Sequence, residues 1–178
     1  MIIAIILIIV LTGLDQATKY IAQYFLKEPL IEKTIIPKVL QFSYYENTGA
    51  SWGMLEGKQT LFLIITLIAL IIFGYLFTKL SFKNKKLYSI SVILLLAGTL
   101  GNALDRMILN YVIDFLHLPF LTPVLGLVGI SNFYFNLADL FLNLGIVLLI
   151  IDMLFLYPKR ERIEKRAKTI KERSQINE

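Results

Sequence analysis

Four long apolar runs dominate this chain of 178 residues and limit what it can fold into. A helix needs about 20 apolar residues to cross a bilayer core of roughly 30 Å. Backbone N–H and C=O groups inside a bilayer must bond within their own segment, so runs of this kind fold as helices. We therefore predict an all-α integral membrane protein with 1–178 in one membrane domain. Its four transmembrane helices are expected at about 1–26, 60–78, 87–106 and 139–157.

Basic residues cluster in two places beside these spans. Four lysines and no acid lie in 79–86, and the segment 159–178 holds eight basic and four acidic residues. Loops rich in Lys and Arg stay on the cytoplasmic side of a membrane. With alternating spans, both clusters, both termini and the tail 158–178 then face the cytoplasm, and 27–59 and 107–138 lie outside. A basic tail is also typical of nucleic-acid binding, but beside membrane spans we expect no nucleic acid partner.

The first outer segment has the composition of a small sheet. Segment 27–59 holds several Pro and Gly around two short runs, 31–36 and 39–45, that are rich in strand-forming residues. We expect a small extracytoplasmic β-rich segment on the outer leaflet.

The second outer segment contains an uncharged apolar stretch from Phe115 to Phe135. It is too short for two crossings, which need about 40 residues. We expect it to lie in the outer interface as a helix or shallow flap. It joins the two aspartates discussed below, so it is either a lid over them or a passive anchor.

The composition excludes several enzyme chemistries. The chain has no cysteine and one histidine, His117. Disulfides, thiol nucleophiles and a histidine-rich zinc site are therefore excluded, and no Gly-x-Ser-x-Gly elbow occurs. We expect no metal and no cofactor, and we expect His117 to be a loop residue.

Polar residues gather at the outer ends of the predicted spans. An ionisable residue at a bilayer centre costs about 2.5–3.5 kcal/mol, so such residues are commonly functional or paired. Each cluster alone also has a structural explanation: Asp15 and Lys19 form an i,i+4 pair, and Asp105 and Arg106 lie where a helix end needs anchoring. Their convergence at one membrane depth nevertheless indicates a site. Asp152 lies at the inner end, where an interfacial role is expected.

Asp114 and Asp139 differ from the other acids because each lies in a strongly apolar stretch. Two carboxylates brought together in a low-dielectric site cannot easily both ionise, so one takes a proton and acts as an acid while the other stays a base. Such a pair can activate water for peptide hydrolysis. Separate anchoring of two helices would also place an Asp at each position, and spacing alone leaves both explanations open.

Five short motifs occur in order along the chain. They are Asp15-Gln16-Ala17-Thr18-Lys19, Asn47-Thr48-Gly49-Ala50-Ser51-Trp52-Gly53, Gly101-Asn102-Ala103-Leu104-Asp105-Arg106, Val112-Ile113-Asp114-Phe115 and Phe135-Asn136-Leu137-Ala138-Asp139. Each motif is weak alone. Together, and with the four spans, they resemble the motif set of the lipoprotein signal peptidase family, also called signal peptidase II, over about 15–153.

The resemblance implies an aspartic endopeptidase of the bacterial cytoplasmic membrane, with its active site near the outer face. It implies that Asp114 and Asp139 are the catalytic aspartates, and that the substrate is a prolipoprotein carrying diacylglycerol on its lipobox cysteine. It also implies inhibition by the cyclic peptide globomycin, with lipidated signal peptides and membrane lipids as partners. The positions that match residues lining or supporting the family's site are Asp15, Lys19, Asn47, Gly98, Asn102, Arg106, Asn136 and Ala138.

Two other protein classes fit part of the pattern. A small transporter or channel subunit also needs polar residues in its spans, but near the midplane and often in repeated halves, whereas here they collect at one edge. A non-enzymatic scaffold would not need two aspartates in apolar surroundings. The stretch between the aspartates also looks longer than is usual for the family, which affects the rim of the site.

Overall fold

The structure is a computed structural model that describes residues 1–28, 30–49, 59–127 and 133–176. Its helices are α1 (Ile2–Leu26), α2 (Gln59–Phe77), α3 (Lys86–Leu109), the short α4 (Thr122–Gly126), α5 (Leu137–Ile151) and α6 (Tyr157–Ile176). A 3-10 turn, Pro119–Leu121, precedes α4, and a π-helical turn, Asp152–Leu156, joins α5 to α6. The strands are β1 (Lys33–Ile36), β2 (Leu40–Asn47), β3 (Val112–His117) and β4 (Tyr134–Phe135).

Four helices in the described ranges are long and apolar enough to cross a membrane. They are Ile2–Leu26, Thr60–Phe77, Lys86–Leu109 and Leu137–Ala167. The prediction of four spans is confirmed. Helix α3 is the central one, because most of it is buried, whereas almost all of α2 faces outward. The last span continues as helix beyond its expected end at about 157, and α6 reaches Ile176.

Two glycines let α3 and α5 approach closely. A Cβ atom at Gly98 would lie 2.8 Å from Leu142 Cγ and would also collide with the Ala138 carbonyl oxygen. A Cβ atom at Gly145 would lie 2.9 Å from Leu95 Cγ. Small residues at such crossings let backbones pack tightly where no hydrophobic effect drives helices together. This packing fixes the start of α5 against α3.

The sheet is antiparallel, with the strands in the order β1-β2-β3-β4. The predicted β-rich segment supplies β1 and β2, but β3 and β4 come from the second outer segment and were not predicted. In the β2–β3 ladder Tyr45 is opposite Asp114, and Asn47 is opposite Val112. Ala22 and Leu26 of α1 pack against the buried face of the sheet. The strand that carries Asp114 is therefore held within the sheet and packed against a transmembrane helix.

Several sequence expectations need correction or fall outside the described residues. His117 is not in a loop; it ends β3 and is buried. The stretch 115–135 is only partly a short helix, because it also contains the end of β3 and all of β4. Trp52 of the second motif and residues 128–132 of the apolar stretch 115–135 lie outside the described residues.

Candidate active site

Asp114 and Asp139 reach the site from different elements. Asp114 lies on β3 and is 1% exposed, whereas Asp139 lies in the first turn of α5 and is partly exposed. Asn136, the N-cap residue of α5, links them. Its Nδ2 donates to Asp114 Oδ1 at 2.7 Å, and its Oδ1 accepts from the Asp139 backbone N–H at 2.9 Å. The Asp139 side chain completes a capping box by accepting from the Asn136 backbone N–H at 3.3 Å.

Two further amides hold the outer oxygens of the pair. Asn47 Nδ2 donates to Asp114 Oδ2, and Asn102 Nδ2 donates to Asp139 Oδ1, both at 2.8 Å. Each carboxyl group is thus oriented at both oxygens by neutral donors. Within residues 1–28, 30–49, 59–127 and 133–176, no ion pair involves either aspartate.

Burial of Asp114 without a cation changes its acidity. Burial and, to a smaller extent, the negative charge of Asp139 raise the pKa of the Asp114 carboxyl to about 8, while the hydrogen bonds from Asn47 and Asn136 oppose the rise. A carboxyl with this pKa is mostly protonated at neutral pH. The site therefore links a carboxyl group whose protonated form is favoured to a second carboxyl group through one asparagine.

A buried ion cluster lies beside the pair, centred on Lys19. The Lys19 Nζ atom lies 2.9 Å from Asp15 Oδ2 and 3.0 Å from Asp105 Oδ2, and all three side chains are almost completely buried. The same nitrogen donates to Asn102 Oδ1 at 2.9 Å. Because its oxygen faces the ammonium group, the amide nitrogen of Asn102 is directed toward Asp139. Lys19 thus acts on the pair through an amide and not by direct contact.

The two carboxylates of this cluster also hold the elements that carry the aspartates. Asp15 Oδ1 accepts from the Ala138 backbone N–H at 2.8 Å, next to Asp139. Asp105 Oδ2 accepts from the Ile113 backbone N–H at 3.0 Å, next to Asp114. A carboxylate at the first turn of a helix is also favoured by the helix dipole. One cluster therefore fixes the positions of both α5 and β3.

Asp105 and Gln16 were not among the predicted site residues. Gln16 Nε2 donates to Asp105 Oδ1 at 2.9 Å and to the Gly101 carbonyl oxygen at 3.0 Å. The available sequence evidence was an amide side chain inside a span, directly after Asp15. Asp105 is more than a helix-end anchor, because it is buried and pairs with Lys19.

Arg106 lies at the edge of the site. Its guanidinium carbon is 4.9 Å from the centre of the Phe62 ring, and its Nη2 lies 3.4 Å from the Gly49 carbonyl oxygen. The Gly49 backbone N–H in turn donates to Asn47 Oδ1 at 3.0 Å. Among the contacts of the described residues, none joins Arg106 directly to either aspartate. Arg106 therefore contacts the backbone that leaves β2, beside Asn47.

All ten predicted site residues lie in this region of the fold, and Gly98 and Ala138 form the contact between α3 and α5 beneath it. Two other polar residues do not join it. Asp152 binds Arg160 at the opposite end of α5. His117 Nδ1 lies 3.2 Å from Gln41 Oε1 within the sheet, and burial lowers the pKa of its imidazole.

Comparisons with known proteins agree with this architecture. A family model described as signal peptidase (SPase) II matches residues 6–155. The lipoprotein signal peptidase of Latilactobacillus sakei subsp. sakei is 43% identical over 122 residues, which cover 68% of this chain and 74% of the relative. That of Caldanaerobacter subterraneus subsp. tengcongensis is 34% identical over 152 residues, covering 85% of this chain and 96% of the relative.

Solved structures show the same fold. A bacterial membrane enzyme structure at 1.9 Å resolution is 34% identical, with a TM-score of 0.69, and the match covers 86% of this chain and 93% of that one. A second such structure, at 2.3 Å resolution, is also 34% identical, with a TM-score of 0.68 and coverage of 85% and 87%.

Four membrane spans and a linked pair of carboxyl groups at one end define the class of membrane-embedded aspartic hydrolases. With a family model matching most of its length and relatives covered over two thirds or more, the chain belongs to the signal peptidase II family of membrane aspartic peptidases. This membership excludes the two alternative classes, a transporter and a non-enzymatic scaffold.

Proposed function

We propose that this protein removes the signal peptide from prolipoproteins that carry diacylglycerol on the lipobox cysteine, with Asp114 and Asp139 as its catalytic pair. The observation that carries the proposal is the link through Asn136, which holds the buried carboxyl of Asp114 and the partly exposed carboxyl of Asp139 in one hydrogen-bonded unit. The named relatives are lipoprotein signal peptidases, which supports the substrate class.

The proposed reaction uses the two aspartates in turn. Asp139, as the carboxylate, takes a proton from a water molecule, and the resulting hydroxide attacks the scissile carbonyl carbon. Asp114 gives its proton to the carbonyl oxygen, which forms a tetrahedral diol. Collapse of the diol breaks the C–N bond: Asp139 returns its proton to the leaving amine, and Asp114 takes one back from a diol hydroxyl. The products are a carboxylic acid and a free amine, and both aspartates return to their starting states.

The protonation states in this scheme follow from the two environments. Asp114 is buried and forms no ion pair within the described residues, and its pKa, raised to about 8, favours the protonated form at neutral pH. Asp139 sits in the first turn of α5, where the helix dipole favours negative charge, and it is partly exposed. A partly exposed carboxylate is accessible to water and substrate. We therefore assign the base to Asp139 and the acid to Asp114.

The surrounding residues are assigned to positioning and substrate contact. Asn47, Asn102 and Asn136 orient the carboxyl oxygens, and the Lys19 cluster orients the elements behind them. Arg106, next to the Gly49 carbonyl, would contact the substrate backbone at the rim. The acyl chains of the substrate would stay in the bilayer, because the site opens at a span end.

Membrane orientation is part of the proposal. The basic 79–86 loop and the basic α6 lie at the end of the bundle opposite the aspartates, and the positive-inside rule assigns that end to the cytoplasm. The aspartates then lie near the outer face of a bacterial cytoplasmic membrane. Because the chain has no cysteine, single cysteines give a clean test. Cysteine at Asn84 should react with a membrane-impermeant maleimide only from the cytoplasmic side, and cysteine at Lys33 only from outside.

A cleavage assay tests the chemistry. The purified enzyme should cut a diacylglyceryl-modified prolipoprotein, and globomycin, which we expect to occupy the site at the aspartates, should inhibit it. Asp114→Asn and Asp139→Asn should each abolish cleavage while the protein still inserts. The matched control is Glu46→Gln, because Glu46 is an exposed carboxyl on the adjacent strand, paired with Lys27. Near-normal turnover by either asparagine variant, or equal loss in the control, would contradict the assignment.

A further inference from the structure

A cleft lies at the end of the bundle opposite the aspartates. It has a volume of about 460 Å³ and is lined by the α2–α3 loop, the first turns of α3, and the junction of α5 with α6. Four basic residues line it: Lys83, Lys86, Lys159 and Arg160. No acidic side chain is among its lining residues. The proposed reaction uses none of these residues.

The charge of the cleft is not neutralised by the protein. Arg160 forms a bidentate ion pair with Asp152, with Nη1–Oδ1 at 2.8 Å and Nη2–Oδ2 at 2.6 Å. Across the described part of the chain, the three lysines of the cleft form no ion pair. Lys83, Lys86 and Lys159 therefore leave three uncompensated positive charges. Such a concentration around one opening favours an anion.

The Asp152–Arg160 pair also gives the cleft a fixed shape. It spans the π-helical turn between α5 and α6, and so holds Lys159 and Arg160 at the cleft. Arg160 Nε is buried and has no hydrogen-bond partner in the part of the chain that the structure describes. This N–H is therefore a guanidinium donor at the wall of the cleft that has no acceptor among the described residues.

The rest of the lining is apolar. Ile90, Leu156 and Ile163 extend from the basic rim along the lipid-facing surface of α3 and of the α5–α6 junction. Ile90 and Ile163 are exposed, with 44% and 66% of their surface accessible. A free phosphate ion would use the lysines but not these side chains. A phospholipid uses both, with its phosphate at the lysines and an acyl chain along the isoleucines.

We propose that this cleft is a binding site for one anionic phospholipid, in the leaflet opposite the aspartates. The ligand is a phosphodiester headgroup without a compensating ammonium group, of which phosphatidylglycerol is a suitable probe. The phosphate binds to Lys83, Lys86 and Lys159. Soluble phosphates bind more weakly, because they have no acyl chain to contact the apolar wall.

The test compares lipid binding by three proteins in detergent, measured by native mass spectrometry and by the thermal shift on adding lipid. The cleft variant carries Lys83→Gln, Lys86→Gln and Lys159→Gln. The control variant carries Arg162→Gln, Lys165→Gln and Arg166→Gln, which remove the same charge from exposed positions of α6 outside the cleft. We expect the wild type and the control to prefer phosphatidylglycerol over phosphatidylcholine by roughly tenfold, and the cleft variant to lose that preference.

Three results would overturn the proposal. Equal loss in both variants would mean diffuse attraction to basic residues, and an undiminished preference in the cleft variant would exclude the lysines. Glycerol phosphate competing at the same concentration as phosphatidylglycerol would make this a site for soluble phosphates. Ile163→Gln keeps every charge, so it should weaken binding of phosphatidylglycerol without weakening binding of glycerol phosphate. The melting temperature without lipid shows whether each variant is folded, and Lys159→Gln alone replaces the triple variant if that one unfolds.

Discussion

Asp114 and Asp152 are equally buried, each 1% exposed, at opposite ends of the same bundle. Asp152 has both oxygens on the guanidinium of Arg160, so its charge is matched by a neighbouring cation. Asp114 has both oxygens on neutral amides, those of Asn47 and Asn136. Burial alone therefore does not make a carboxyl group reactive. A cationic partner stabilises the charged form, whereas at Asp114 the effect of burial outweighs the two amide hydrogen bonds and favours the protonated form.

The aspartate end does contain a buried cation, but it is engaged elsewhere. Lys19 pairs with Asp15 and Asp105 and reaches Asp139 only through the amide of Asn102. Direct contact with the ammonium group would place Asp139 in an ion pair, as Arg160 does for Asp152. With one amide interposed, the lysine orients the site and leaves the carboxyl groups available for proton transfer.

The largest expected effect comes from making the same change, aspartate to asparagine, at Asp114 and at Asp152. Asp114→Asn should lower cleavage by roughly a thousandfold or more, because an amide cannot donate and recover the proton. Asp152→Asn should leave cleavage by the folded protein nearly unchanged. It should lower stability by about 2 kcal/mol, less than the roughly 3–5 kcal/mol for a fully buried pair, because Arg160 keeps some exposure. Cleavage rate and thermal unfolding are measured on both variants. Loss of cleavage in Asp152→Asn, together with loss of stability alone in Asp114→Asn, would contradict the comparison.

The second prediction concerns the buried cation. Lys19→Met should lower stability by about 3–5 kcal/mol, because Asp15 and Asp105 would remain buried without their counter-ion. Adding Asp105→Asn should recover part of this loss, since it removes one of the two stranded charges and keeps an oxygen for the Ile113 N–H. Unfolding of the single and double variants measures both effects. A Lys19→Met protein as stable as the wild type would mean that the cluster contributes only geometry.

The sequence predicted the parts of this molecule that depend on local composition. The four spans follow from apolar runs, and the approach of the polar clusters follows from span order and loop charge. The strand β3 was missed because Val112–His117 is a short apolar run beside a span, and its partner β2 lies far away along the chain. No local pattern specifies such a pairing.

The ion-pair partners were also beyond local reasoning. Asp15 and Lys19 are neighbours on α1, but the second partner of Lys19 is Asp105 on α3, which only tertiary packing selects. Bidentate pairing of Asp152 with Arg160 requires a helix that continues past the span through a π-helical turn. The predicted span ended at about 157, before Arg160, so it did not place these two residues on one continuous helix.

The third prediction concerns Arg106, whose charge lies close to the pair without touching it. Arg106→Ala should lower cleavage by about ten- to a hundredfold, and Arg106→Lys should not fully restore it. Lysine keeps the charge but lacks the planar group that packs on Phe62 and reaches the Gly49 carbonyl. Full activity of the lysine variant in the cleavage assay would reduce Arg106 to a simple source of charge.

The fourth prediction is a pH dependence set by Asp114. The proposed acid must be protonated, and its pKa of about 8 means that the proton is lost as pH rises through that value. The cleavage rate should therefore fall above pH 8, approaching about tenfold per pH unit. The Asn47 hydrogen bond lowers this pKa, so Asn47→Ala should move the alkaline limb to higher pH. A limb that stays in place in that variant would assign it to another group.

The smallest expected effect lies in the segment that joins β3 to α5, and so joins the two aspartates. Val124 of α4 and Leu127, which directly follows α4, have 63% and 86% of their surfaces accessible, and beside four membrane spans such exposed apolar side chains favour contact with lipid over contact with water. Leu125 is only partly exposed, so it faces the protein more than Val124 and Leu127 do.

If the segment moves over the site as a lid, Leu125→Glu should slow turnover of lipidated substrate a few-fold, because a charge on this face opposes closure in an apolar setting. Val124→Glu serves as a control: it places the same charge on the side toward lipid and should weaken interfacial anchoring without acting on closure. Turnover of a lipidated prolipoprotein, measured beside Asp114-dependent pH behaviour to show that the pair is intact, separates the two roles. Normal turnover in Leu125→Glu would make the segment a spacer, and equal slowing in both variants would make it an anchor.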